Sequence, residues 1–156
     1  MPRNTLVRQV MTTDVVSFRP DDGVQDVAKT MAETGIGGAP VVDGEGHVVG
    51  LVTDDDLIVQ EARIHFPTVI SVLGAYLELP TSLQRFEHEL HKAVGAKVAD
   101  VMASDPPTCS EDDNLEQVAT TMHEHDISRL PVVRDGKLVG IVSRGDVVRA
   151  IVEGGP

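Results

Sequence analysis

Aromatic residues are nearly missing from this chain of 156 residues: no tryptophan, one tyrosine and three phenylalanines, 3% in all. That excludes base-stacking platforms and aromatic sugar-binding clefts. Cysteine is also scarce. Cys109 stands alone, so neither an internal disulfide nor a CxxC zinc site can form. Positive charge is in short supply, with 13 Lys and Arg against 25 Asp and Glu and a net charge of −12. Nonspecific nucleic-acid binding needs clustered cations and is excluded, and anionic membrane surfaces are disfavoured for the same reason. Long apolar runs are absent too. The most apolar stretch, Phe66 to Pro80, is too short to cross a bilayer and carries Glu78 and two prolines. The opening MPRNTLVRQVM has no apolar h-region and no small-residue cleavage site, so a cytoplasmic location is expected.

Hydrophobic residues make up 41% of the chain, too many for disorder. A chain of this length buries roughly 70% of its unfolded surface, enough for one domain or two small halves folding together.

The sequence repeats itself. Val10 to Val42 aligns with Val101 to Val133, and after one extra residue in the first turn VVGLVTDDDL aligns with LVGIVSRGDV. Each copy reads alike. Asp21-Asp22 and Asp112-Asp113 are turn or N-cap signals. Val24, Val27, Ala28 and Met31, matched by Leu115, Val118, Ala119 and Met122, form one apolar helix stripe. Gly35 and Asp126 stand where that helix should end. Two short β-branched runs across a Gly-containing turn then predict a hairpin, Ala39 to Val42 with Val48 to Val52, and Leu130 to Val133 with Leu138 to Val142. A last helix opens at Thr53 or Ser143, and a short strand (Val15 to Phe18, Thr108 to Cys109) precedes the unit. A unit of about 55 residues cannot cover a small sheet alone, whereas two stacked copies can. The expected architecture is α+β: two repeats, each a small sheet with flanking helices, packed through their sheets with pseudo-two-fold symmetry and two related clefts between them. The segments are 1–58 for the first repeat, 59–97 for a largely helical insertion and 98–156 for the second repeat.

Doubled in this order, the opening Val-Met with its turn, the apolar-Pro-Val-Val strand and the Gly-apolar-Val-Thr/Ser-x-x-Asp segment resemble a tandem pair of cystathionine-β-synthase (CBS) domains, a Bateman module. The resemblance implies a stand-alone, non-catalytic regulatory module. Its ligand would be adenosine-containing, namely AMP, ADP, ATP or S-adenosylmethionine, and its usual assembly a homodimer. It also implies the site residues. Asp56 and Asp146 would accept from ribose hydroxyls, and Thr53 and Ser143 would contact ribose or phosphate, with Leu51 and Ile141 in the same motifs. Each cleft would take its adenine-side wall from the opposite half. Thr12, Val15, Ser17 and Ile36 then go with Ser143 and Asp146, while Ala103, Pro106, Thr108 and Ile127 go with Thr53 and Asp56.

The residue types suit these roles. Ser or Thr at a helix start can face a phosphate, where free N–H groups favour an anion. Asp three residues on lies on the same face and can bridge vicinal hydroxyls. The same Ser/Thr-x-x-Asp pattern also reads as an ordinary helix cap with a first-turn acid. The two clefts differ in charge. Arg129 and Arg144 of the second half, suited to bidentate phosphate contact, are replaced by Gly38 and Asp54 in the first. A polyphosphate should prefer the cleft those arginines face, unless they only pair with nearby acids. An uncharged or cationic adenosyl ligand is less penalised beside Asp54 and Asp55.

In the insertion, Thr81 or Ser82 can cap a helix through Leu83, Phe86, Leu90 and Val94, which packs on the module or meets a partner. His88 and His91 on that helix are a surface metal pair or simply exposed. His123 and His125 suit helix capping or phosphate contact, and His47 a plain surface turn. Gly35-Ile36-Gly37-Gly38 precedes a strand, the wrong context for a dinucleotide fingerprint, and no catalytic constellation emerges from spacing. The competing functions are a sensor, a scaffold with empty clefts and, least, an enzyme.

Overall fold

The computed structural model describes residues 4–58 and 96–153. The expected insertion helix, with Leu83, Phe86, His88 and His91, lies outside the described residues. The first half comprises α1 (Val7–Val10), α2 (Val24–Thr34), β1 (Gly38–Val42), β2 (Val48–Thr53) and a helix α3 described over 54–58. The second comprises α4 (Val98–Val101), β3 (Ala103–Ser104), β4 (Cys109–Ser110), α5 (Leu115–His125), β5 (Arg129–Arg134), β6 (Lys137–Ser143) and α6 (Arg144–Glu153). This is the expected α+β arrangement, with two three-stranded sheets ordered β1-β2-β3 and β4-β5-β6. No described helix is long and apolar enough to cross a membrane.

The repeat helices form for the reasons their spacing gives. Val27 and Met31 of α2, and Leu115, Val118 and Met122 of α5, are the buried stripe. Both helices stop on a left-handed residue, Gly35 at φ 71° and Asp126 at φ 51°, which frees the chain to turn back into a strand. The paired aspartates serve as turn residues. Arg19 N–H donates to Asp22 Oδ2 at 2.8 Å, and Ser110 N–H to Asp113 Oδ2 at 2.9 Å. The N-caps themselves are Gly23, with no side chain to offer, and Asn114, whose Oδ1 accepts from Gln117 N–H at 2.9 Å.

The hairpins repeat even in their irregularities. Gly38 pairs with Thr53 and Arg129 with Ser143, and each hairpin is bulged at matching places, between Val41 and Val42 and between Val132 and Val133. The third strands reveal a different logic. β3 pairs antiparallel with β2 of the first half, and Thr12 bridges Ile141 of β6 in the second. Each repeat therefore lends its opening segment to the other. Val7 N–H donates to Asp113 O and Val98 N–H to Asp22 O, both at 2.8 Å, and Leu115 N–H reaches Thr5 O while Val24 N–H reaches Ala96 O. The cores follow suit. Val7, Val10 and Met11 pack with the second half, while Val98, Val101 and Met102 pack with the first. The hairpin tips also meet, with Leu138 N–H donating to Gly46 O at 3.0 Å.

Two core positions exchange bulk between the halves. Phe18 and Ala39 lie in the first core, where Cys109 and Leu130 occupy the repeat-equivalent places in the second. Burial pushes the Cys109 thiol up to about 12, with Asp113 adding to the shift, so the thiol stays protonated and packs as a small hydrophobe.

Candidate functional site: the cleft between the halves

Each hairpin runs directly into a helix, and a capping residue closes the junction. At the second junction Ser143 N–H donates to Asp146 Oδ2 at 2.8 Å, and Asp146 N–H donates to Ser143 Oγ at 3.1 Å. At the first, Thr53 N–H donates to Asp56 Oδ2 at 2.9 Å and Asp56 N–H to Thr53 Oγ1 at 3.4 Å. Both Ser/Thr-x-x-Asp motifs are thus reciprocal helix caps. Both caps use Oδ2 of the aspartate. Among the described residues Asp146 Oδ1 is paired with Arg149 Nη2, at 3.4 Å, and Asp146 is buried, 9% exposed. Capping also takes up donors expected to be free for an anion. Arg144 N–H goes to Ser128 O at 2.7 Å, and Asp146 N–H to the serine.

In front of Ser143 and Asp146 lies a cleft of about 250 Å³. Thr12, Asp14, Val15 and Val16 form one wall, delivered by the exchanged segment through the Thr12–Ile141 bridge. Ile36, Gly37 and Gly38, leading into β1, form a second wall, and Arg129, Ile141, Ser143 and Asp146 complete it from the second half. An occupant would touch both halves at once. Apolar Val15, Val16, Ile36 and Ile141 suit a flat base, and the Asp146 carboxylate suits hydroxyls.

Arg129 reaches across to the first half. A methyl group on Gly38 would collide with its guanidinium, and one on Gly37 would lie 3.0 Å from Arg129 Nη2 and 3.4 Å from Asp54 Oδ2. Gly38 is the repeat-equivalent of Arg129. Two arginines could not share this space, so the glycine is what admits the single cation. Neither Arg129 nor Arg144 forms an ion pair among the described residues. Arg144 is exposed and donates to Ile127 O at 3.4 Å, outside the cleft lining, so it supplies no charge there.

The structure brings Thr12, Val15, Ile36, Arg129, Ile141, Ser143 and Asp146 together, and leaves Ser17 exposed and outside the lining. Sequence reasoning missed Asp14, Val16 and Gly37 as wall residues. Asp14 and Val16 flank a chosen residue, and Gly38 was visible only as the gap opposite Arg129. On the other side, Leu51 pairs with Ala103 across β2 and β3, Pro106 is half-buried, Thr108 is exposed, and Ile127 packs against the second core. His123 and His125 take no part in the cleft. Backbone closes that helix end, Asp126 N–H bonding to His123 O at 3.4 Å.

Two exchanged α+β repeats around a shared cleft define the class, a tandem-repeat module with a cleft between its halves. A sequence model of the CBS domain matches residues 7–62 and 98–153, and the chain belongs to that family as a tandem pair. It is similar to protein MJ1426 of Methanocaldococcus jannaschii, 29% identical over 94% of this chain and 91% of that protein. It is also similar to the chloroplastic CBS domain-containing protein CBSX2 of Arabidopsis thaliana, 34% identical over 86% of this chain but only 58% of the plant protein. The crystal structure of CBSX2 in complex with AMP superposes with a TM-score of 0.73 and 30% identity, covering 96% of this chain and 97% of that one.

Proposed function

We propose that the chain is a non-catalytic regulatory module that binds an adenosine-containing ligand in the Ser143/Asp146 cleft. Binding is passed on as a change in how the two halves sit together. The observation that carries this reading is a cleft built from both halves, with a buried carboxylate and an arginine facing apolar walls. The AMP complex of CBSX2 supports the ligand class. A ligand spanning both halves shifts their arrangement only by binding one arrangement better than another, and contacts on both walls supply that difference. Ser143 positions the helix start, Asp146 accepts from ribose hydroxyls through its Oδ1, and Arg129 meets the phosphate. The family resemblance supports a homodimer as the assembled form. A scaffold role is the second reading for the Thr53/Asp56 side, where the exposed acids Asp54 and Asp55 repel an anion.

The test is thermal melting of ligand-stripped protein against AMP, ADP, ATP and S-adenosylmethionine. At a hundredfold excess over Kd, binding stabilises by about 2.7 kcal/mol. Asp146→Asn keeps an acceptor for Ser143 N–H and should lose most of the shift, whereas Asp56→Asn should keep it. No shift with any of the four ligands would leave the scaffold reading in its place.

A further inference from the structure

The described lining of the cleft holds one cation, and acids stand on both sides of it. Among the described lining residues Arg129 is the only Lys or Arg; Asp14 stands on one wall, and Asp54 lies beyond Gly37 on the other. Asp146 is already engaged by Ser143 and Arg149. Arg144, the other cation expected here, turns away to Ile127 O.

From this we infer that the Ser143/Asp146 cleft selects a nucleoside monophosphate over its di- and triphosphate. The inference rests on the adenosyl-binding reading above. One phosphate meets the fork of Arg129 in the gap that Gly38 leaves, a charge-assisted bidentate contact. A second or third phosphate finds no further Lys or Arg among the described lining residues, and Arg149 just behind them is paired with Asp146 Oδ1. It extends toward Asp14 or Asp54, where like charges face each other in a protein that already carries −12. The Arg129–Gly38 pair supplies the attraction, and Asp14 and Asp54 set its limit.

Isothermal titration with adenosine, AMP, ADP and ATP at fixed ionic strength, on wild type and two variants, tests this. In wild type AMP should bind about tenfold or more tighter than adenosine, the size of a hydrogen-bonded charge contact, and ATP should bind more weakly than AMP. In Arg129→Gln the AMP-to-adenosine ratio should fall by about tenfold, since the fork is lost. In Asp54→Asn the gap between AMP and ATP should narrow. ATP binding as tightly as AMP in wild type, or a ratio unmoved by Arg129→Gln, would overturn the monophosphate inference while adenosine binding upheld the broader reading. Failure of adenosine and all three nucleotides to bind would overturn both.

Discussion

The two halves of this molecule use one plan and fill it differently. In the first core a large aromatic, Phe18, lies with a small Ala39; in the second, a small Cys109 lies with a larger Leu130. Each pair fills a similar space by a different division of volume, as close-packed interiors require. The polar junctions diverge further. The first half puts Gly38 and Asp54 where the second puts Arg129 and Arg144, and the second half's helix has a side-chain cap that Gly23 cannot give the first. Duplication kept the frame, and asymmetry entered where the halves face each other. One cleft thereby gained a cation with room to reach across.

The largest expected effect tests the exchanged volumes. Leu130→Ala, at a fully buried position, should cost about 2–5 kcal/mol in denaturant unfolding. Adding Cys109→Phe imports the first half's division and should recover part of the loss. A double variant no more stable than the single one would show that the two positions do not trade space.

A second comparison sets Gly140 against Gly50, the glycines beneath the exchanged segments. A methyl on Gly140 would lie 3.0 Å from the Thr12 backbone carbonyl and 2.7 Å from Met11 Sδ, whereas the three atoms nearest to one on Gly50 all belong to the Met102 side chain. Methionine repacks and a bridged backbone does not. Gly140→Ala should therefore cost about 1–3 kcal/mol and Gly50→Ala less, read from paired melting curves. Equal losses would mean that the strand bridge yields as readily as a side chain.

The smallest effect concerns the caps. Asn114→Ala should cost about 1 kcal/mol by losing the bond to Gln117 N–H. Gly23→Asn should raise stability by a few tenths of a kcal/mol, since φ −70° and ψ 138° at Gly23 already suit a capping side chain. If Gly23→Asn changes nothing in chemical denaturation, the missing cap is not what distinguishes the two helices.

Much of this was legible in the residues. The doubled motif gave the repeats, the stripe Val118 and Met122 the helix face, and Gly35 and Asp126 its end, because period and backbone conformation are local properties. Six of the residues that the family resemblance assigned to the Ser143/Asp146 side line its cleft, and Arg129, singled out by charge with its cleft left open, lines it too. Arg144 could not be placed from sequence. It stands one residue after Ser143, but the helix start directs it toward Ile127 O. Asp14 gave no signal either, since nothing local distinguishes a wall carboxylate from the chain's other acids.

By itself the sequence determined the repeat, the element types, the fold and the charge difference between the halves. All of these follow from periodicity, turn chemistry and counting along one chain. The family resemblance already placed walls of each cleft on opposite halves; only the tertiary structure decided how the opening segments pair across, with Thr12 on Ile141 and β3 on β2, and that Arg129 fills the place a side chain on Gly38 would occupy. Those outcomes depend on which surfaces meet in space, and a pattern that reads identically in both repeats cannot specify whether a segment packs on its own copy or on the other.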